Sequence, residues 1–281
     1  MNQAALVLGG GGPVGGAWLT GVVAGLADGG IDLMAADTVI GTSAGAVFGA
    51  RLASGEPARE LYERQLADLD RVEMDITAIQ TLRFLWAALA TRDPERSVRR
   101  LGHAALTART APARDLHETV RTLLRGATAW PAQALRITAV DALTGSVEAF
   151  DAGSALDLAD AVAASCAVPL VWPPIAALER RWIDGGTRST GNLQLATGHR
   201  QVLAVSPVPT AIGPHPSAQQ QAAQLRAAGA HVTLITPDAD ARRAMGHNLT
   251  ANARRPAAAR AGHRQGTDLA ASVARAWPSS A

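Results

Sequence analysis

Three groups of residues in this chain have the types and spacing that chemistry uses: Gly41-Thr42-Ser43-Ala44-Gly45, the run Gly9-Gly10-Gly11-Gly12, and Asp184-Gly185-Gly186. The first follows Thr38-Val39-Ile40, which suits a strand, and leads into Ala/Val/Phe-rich sequence that suits a helix. This layout predicts a nucleophile elbow. The strand ends, the chain turns sharply at a serine in a strained conformation, and a helix starts at once, so the hydroxyl projects above the sheet with a helix N-terminus behind it. Glycines two residues to either side are needed because a Cβ at Gly41 or Gly45 would collide where strand and helix pass each other. Taken alone, the pattern also fits an ordinary strand-to-helix turn.

Ala4 to Leu8 is a short apolar run that suits a buried parallel strand, and it empties into the glycine run. The apolar stretch from Ala17 to Ala27 then reads as a helix. Unpaired backbone N–H groups converge at such a helix start and form an anion site. A P-loop would need a lysine, and all 26 basic residues are arginine. Two readings of the loop remain. One is a dinucleotide fingerprint, Gly10-x-Gly12-x-x-Gly15, with Asp32 as the ribose-binding acid. The other is an oxyanion hole, whose N–H groups meet the negative oxygen of a tetrahedral intermediate. Downstream, Arg181-Trp182-Ile183 reads as a short strand that delivers Asp184 at its end. Two glycines follow and let the backbone approach another element, which suits a catalytic carboxylate as well as a surface turn.

The elements that must position these residues alternate. Further strands are expected at Leu135 to Val140, Ser146 to Phe150, Gln201 to Ser206 and His231 to Thr236, with a hairpin turn through Asp141, Thr144 and Gly145. Helices are expected at Asp151 to Val162, Ser217 to Ala228 and Thr267 to Trp277. The alternation predicts an α/β fold: a three-layer sandwich with a mainly parallel central sheet, in one domain spanning residues 1–281. Residues 56–130 are richer in charge, with apolar side chains at three- and four-residue spacing, and read as a mostly helical, cap-like region. Its most apolar piece, Leu82 to Leu89, is expected to be a core helix in preference to a lid or an interfacial contact.

Composition excludes several classes. Hydrophobic residues make up 48% and charged residues 18%, which is globular rather than disordered. Basic residues are interleaved with acids, and six Trp, three Phe and one Tyr leave little for base stacking, so nucleic-acid binding is not expected. The lone Cys166 excludes an internal disulfide, fits a reduced cytoplasmic compartment, and reads as a small buried side chain. Residues 4–27 carry no charge, but the glycine run and Pro13 argue against a membrane span. No His/Cys/Asp cluster has ligand spacing, so no metal is expected, and none of the seven histidines sits in a motif.

Glycine loop after the first strand, Gly-x-Ser-x-Gly after the second, Asp-Gly-Gly far downstream: in this order the sequence resembles the patatin-like phospholipase family, serine acyl hydrolases with an α/β fold. The resemblance covers most of Ala4 to Asn192 and includes Ala164-Ser165-Cys166-Ala167-Val168-Pro169. It implies Ser43 as nucleophile, Asp184 as its partner in a dyad without histidine, and Gly10, Gly11 and Gly12 as the oxyanion-hole glycines. It further implies a cofactor-free enzyme that cleaves lipid acyl esters through an acyl-enzyme, with transient contact at a membrane surface. A dinucleotide-binding oxidoreductase and a catalytically silent lipid-binding module are the alternatives. One departure stands out: Val14 occupies the place where the family usually carries Arg or Lys, and Pro13 before it has no N–H to offer. A weaker hold on an anionic phosphodiester, and preference for a neutral acyl ester or thioester, are expected from that.

Overall fold

The five residues of β1 (Ala4–Leu8) are all buried, and their side chains alternate between two cores. Ala4, Leu6 and Leu8 belong to the larger core on one sheet face, Ala5 and Val7 to the smaller core on the other. A strand buried on both faces needs helices on both, which makes three layers. The computed structural model describes residues 4–73, 77–211 and 213–278. After β1 come α1 (Gly12–Asp28), β2 (Thr38–Gly41), α2 (Ala44–Ala53), α3 (Ala58–Leu66), α4 (Ala78–Leu89), α5 (Pro94–Thr107) and α6 (Ala113–Leu124). The second half runs β3 (Leu135–Asp141), β4 (Val147–Phe150), α7 (Leu158–Ser165), β5 (Ile175–Ala177), β6 (Arg180–Asp184), β7 (Gln201–Val205), α8 (Ala218–Ala227), β8 (His231–Ile235), α9 (Ala239–Met245) and α10 (Arg255–Ala274).

The sheet order is β5-β6-β3-β2-β1-β7-β8, with β4 also paired to β3. Strands β3, β2, β1, β7 and β8 are mutually parallel, whereas β4, β5 and β6 join antiparallel. One edge of β3 is shared. Its first half pairs with β2, ending at Gly41↔Ile137, and its second half pairs with β6, where Asp184 lies opposite Ala139. β4 occupies the other edge, pairing Ile137 with Phe150. Strands β2 and β6 therefore run toward each other along β3, and their C-terminal ends meet.

Several elements differ from the sequence expectation for identifiable reasons. Helix α1 starts at Gly12 rather than Ala17, because Pro13 falls in the first turn, where its missing N–H is no loss. Helix α10 likewise starts at Arg255 with proline in its first turn, well before Thr267. Helix α7 begins at Leu158, not Asp151: the Asp151 carboxylate accepts the Gly153 N–H at 2.9 Å and its carbonyl accepts the Ser154 N–H at 3.0 Å, closing a turn there. Strand β5 was not expected in the proline-rich segment; Trp182 Nε1 donates to Ala177 O at 2.9 Å across its pairing with β6. Leu82 to Leu89 is helical, but Leu82, Trp86 and Leu89 are 69%, 67% and 63% exposed, so it is a core helix on its inner side alone.

Helices α1 and α10 pack backbone to backbone. A Cβ on Gly21 or Gly25 would overlap the carbonyls of Ala259 or His263, and one on Gly262 or Gly266 would overlap those of Trp18 or Val22. Gly→Ala at Gly262 should therefore destabilise by about 1–3 kcal/mol or more. Gly49→Ala, where the nearest atoms stand off at 3.4 Å inside α2, should be neutral or stabilising by about 0.5–1 kcal/mol. Urea denaturation of the two variants checks the contrast.

Candidate active site

Ser43 sits between the end of β2 and the start of α2 with φ 52° and ψ −119°, a conformation that only a firmly held non-glycine residue adopts. The flanking glycines make room for it. A Cβ at Gly41 would lie 2.6 Å from Ala46 Cα, and one at Gly45 would overlap the Leu8 carbonyl. Serine is thus presented at a sharp strand-to-helix turn, as the Gly-x-Ser-x-Gly spacing predicts. Its own N–H donates to Ser165 Oγ at 2.8 Å, at the end of α7.

Asp184 arrives from the opposite direction at the end of β6 and is 5% exposed. Its N–H donates to Ala167 O at 2.9 Å, and its Oδ1 accepts the Gly186 N–H at 2.6 Å. Burial pushes its pKa up to about 6, against the pull of hydrogen bonds from the Ser43 hydroxyl and the Gly186 N–H. One short segment, Ser165 to Ala167, thereby holds the backbone of both Ser43 and Asp184. Cys166 between them is half-buried and lines the same cavity as Ser43. Burial, with the Asp184 charge nearby, raises its thiol well above the ordinary range.

Beneath the junction is a buried polar network. Thr42 Oγ1 and Thr138 Oγ1 share a hydrogen bond of 2.8 Å, and Asn192 Nδ2 donates to Thr42 Oγ1 at 3.1 Å, Gly185 O at 3.2 Å and Ser189 O at 2.8 Å. It ties together the elbow, β3 and the loop after Asp184. Sequence reading names Thr42 and Asn192 only as motif neighbours and misses Thr138 and the function of Ser165. The pairing of Ser165 with Ser43, 122 positions apart, leaves no local signal.

The glycine run is anchored on three sides. Gly9 N–H donates to Val205 O at 2.9 Å, Gly10 N–H to Thr190 O at 2.7 Å, and Val14 N–H to Leu249 O at 3.0 Å. Of the three glycines expected at the oxyanion hole, Gly10 has its N–H already engaged by the Thr190 carbonyl. Among the described residues, Gly11 and Gly12 keep N–H groups without an acceptor, as does Ala44 at the first turn of α2. Gly10, Gly11 and Gly12 all line a cavity with Ser43, Asp184 and Phe84. A second cavity opens on the other side of Ser43, walled by Val47, Phe48, Leu116, Val120, Leu123 and Trp172. Val14 is fully buried in the larger core and lines neither cavity. Asp32 precedes β2 and caps a short turn by accepting the Met34 N–H at 2.9 Å. A ribose-binding acid would stand at the C-terminal end of β2, so the fingerprint reading lacks its acid.

Chemically, the arrangement offers a hydroxyl on a strained turn, a buried carboxylate of raised pKa beside it, free N–H groups within the same cavities, and an apolar channel. Ser165→Ala should leave the Ser43 N–H without its buried acceptor, a loss of about 1–3 kcal/mol of positioning. The expected outcome is a lowered melting temperature together with roughly tenfold slower labelling of Ser43 by a fluorophosphonate per folded molecule. A purely structural role would lower the melting temperature and leave the labelling rate of the folded fraction unchanged.

A family model described as patatin-like phospholipase matches residues 6–197. No curated protein matches the sequence. Among solved structures, VipD from Legionella pneumophila superposes with a TM-score of 0.52 at 13% identity, covering 96% of this chain and 67% of VipD. That likeness speaks to the fold. The type III effector protein ExoU aligns at 19% identity over 95% of this chain and 54% of its own length, with a TM-score of 0.37 that is too low to add to it. The family match takes in the glycine run, the Ser43 elbow, the Ser165 to Ala167 segment and Asp184 together, and on that basis the chain belongs to the patatin-like phospholipase family.

Proposed function

We propose that this protein is a serine acyl hydrolase that cleaves lipid acyl esters through a Ser43–Asp184 dyad. The observation that carries the reading is the junction of β2 and β6, where a strained serine and a buried carboxylate share one cavity without a histidine among the described lining residues. In the reaction, Asp184 accepts the Ser43 hydroxyl proton as Oγ attacks the ester carbonyl. Negative charge develops on the carbonyl oxygen and is met by the N–H groups of Gly11 and Gly12, with Ala44 as a further donor. Collapse expels the alcohol, which takes the proton, and leaves an acyl-serine that water hydrolyses with Asp184 again as base. A carboxylate with an ordinary pKa is a weak base. Burial that raises Asp184 to about 6 brings it nearer the operating pH, and this is what lets it serve without a histidine.

The apolar channel beside Ser43 fits an acyl chain. No arginine lines either cavity among the described residues, and Val14 fills the place where the family usually has a cation. A neutral acyl ester or thioester is therefore the favoured substrate over an anionic phosphodiester lipid. Comparing phosphatidylcholine with a p-nitrophenyl acyl ester tests this: the expected preference is for the neutral ester, and a strong preference for the phospholipid would overturn it.

Ser43→Ala and Asp184→Asn should each lower kcat by at least about a thousandfold. Asp184 acts only when ionised, so kcat/KM should rise with pH and level off above a midpoint of about 6. Substantial hydrolysis by the serine variant, or a flat profile between pH 5 and 7, would sink the dyad. Fluorophosphonate labelling of Ser43 without turnover of any ester would instead indicate a catalytically silent module.

A further inference from the structure

Helix α4 presents a stripe of large apolar side chains to solvent. Ile79, Leu82, Leu85, Trp86 and Leu89 are 71%, 69%, 45%, 67% and 63% exposed, and they are five of the eight exposed large hydrophobics among the described residues. At 100° per residue they fall within roughly a third of the helix circumference. The orientation is fixed from within. Ala87 and Ala88 are buried with Leu101 of α5, and Phe84 packs against them. Ser97 Oγ donates to Ala88 O at 2.7 Å, and Gln80 Nε2 donates to Leu170 O at 2.8 Å, in the segment that leads to β5. The inner face is thus already used, while the outer stripe stays exposed, with the Arg100 guanidinium beside Trp86.

The charge beside the stripe is one-sided. Trp86 forms one wall of a groove between α4 and α5 whose other lining residues include Arg83, Arg96, Arg99, Arg100 and His103. The Arg100 guanidinium lies 4.4 Å from the Trp86 ring centroid. Arg83, Arg96 and Arg100 have no carboxylate within ion-pair distance among the described residues, and Arg99 has only exposed Glu95 at 3.7 Å. The contrast lies elsewhere in the same chain: Arg51, Arg64 and Arg255 are each matched to Glu56, Asp70 or Asp68 at 2.6–2.8 Å. An apolar stripe flanked by unmatched arginines, joined through a tryptophan, has the chemistry of a surface that lies in a lipid headgroup layer. Two-fold pairing with a second copy would bring the arginine grooves toward each other.

We propose that the outer face of α4, with the arginine groove of α5, docks this protein on a bilayer containing anionic lipid. Phe84 on the inner side of the same helix lines the cavity that holds Ser43 and Asp184. Docking there brings α4, which walls that cavity through Phe84, to the lipid surface, with the anionic headgroups held at the arginines. The proposal rests on the lipid-ester reading above, and it separates the anionic lipid that recruits the protein from the neutral lipid that it cleaves.

The test is sedimentation of the full chain with vesicles of non-hydrolysable ether-linked phosphatidylcholine, with and without ether-linked phosphatidylglycerol, beside an assay of a monomeric short-chain ester. The wild-type chain should sediment with the phosphatidylglycerol vesicles in a salt-sensitive way and poorly with phosphatidylcholine alone. Leu82→Glu with Leu89→Glu, and separately Arg96→Glu with Arg99→Glu, should each weaken that binding by at least about tenfold and leave the soluble-ester rate and melting temperature unchanged. Vesicle binding unaffected by either pair, or no binding by the wild-type chain, overturns the proposal. So does a stable dimer that Leu82→Glu dissolves. Binding needs no turnover, so a chain that docks but hydrolyses no ester refutes the hydrolase reading alone, and one that hydrolyses the soluble ester without docking refutes the docking alone.

Discussion

Two strands ending against each other on a single edge of β3 are the constraint on which the site depends. β2 leaves that edge at Gly41, opposite Ile137, and β6 reaches it from the other direction with Asp184 opposite Ala139. A strand that stops leaves unpaired backbone groups, and here those ends are covered by each other and by a polar network rather than by water. Thr42, Thr138 and Asn192 occupy the gap with their hydroxyl and amide groups hydrogen-bonded, all fully buried. Glycine is needed at 185 because a side chain there would run into Thr138. The serine and the aspartate meet because the sheet changes from parallel to antiparallel at that point.

Electrostatics divide the protein into matched and unmatched zones. Burial alone would raise the Asp70 pKa, but hydrogen bonds from Arg64 and Arg51 outweigh it and hold that carboxyl below its usual range. Together with Arg255, Gln65 and Asp68, these groups join α2, α3 and α10 at the end of the apolar cavity, where Asp70 and Gln65 form part of the lining. Asp184 is the opposite case, buried with no cation beside it among the described residues, and its pKa moves up. Asp70 is kept charged by its partners, whereas the carboxylate beside Ser43 is left without a cationic one among the described residues. The α4–α5 groove is the third case, with several arginines and, among the described residues, only the exposed Glu95 as an acid at ion-pair distance.

Close backbone contact recurs wherever the architecture is tight. Helix α1 is buried along nearly its whole length, between the sheet and α10, and glycines on both helices let their backbones touch. That packing explains why an uncharged segment long enough to draw notice in a hydropathy reading is a core helix; no helix among the described residues is long and apolar enough to cross a membrane. The same helix carries the glycine run at its N-terminus. Holding α1 rigidly therefore also holds the N–H groups of Gly11 and Gly12 near Ser43.

Local sequence determined the elements and the candidate residues. The Gly41-x-Ser43-x-Gly45 spacing is legible because sterics at a sharp turn act within five residues, and the strands of the parallel half are legible because burial on both faces demands continuous apolar runs. The order of glycine loop, serine and Asp-Gly-Gly was enough to indicate the family. Tertiary structure alone decided which groups meet. It gave Ser165 and Ala167 the task of holding Ser43 and Asp184, took the Gly10 N–H away with the Thr190 carbonyl, turned Val14 into the core, and faced the apolar stripe of α4 outward. None of these could be read in advance, because hydrogen bonds between different elements, and the choice of which face of an all-round apolar helix is covered, depend on how separate elements dock rather than on any neighbour in the chain.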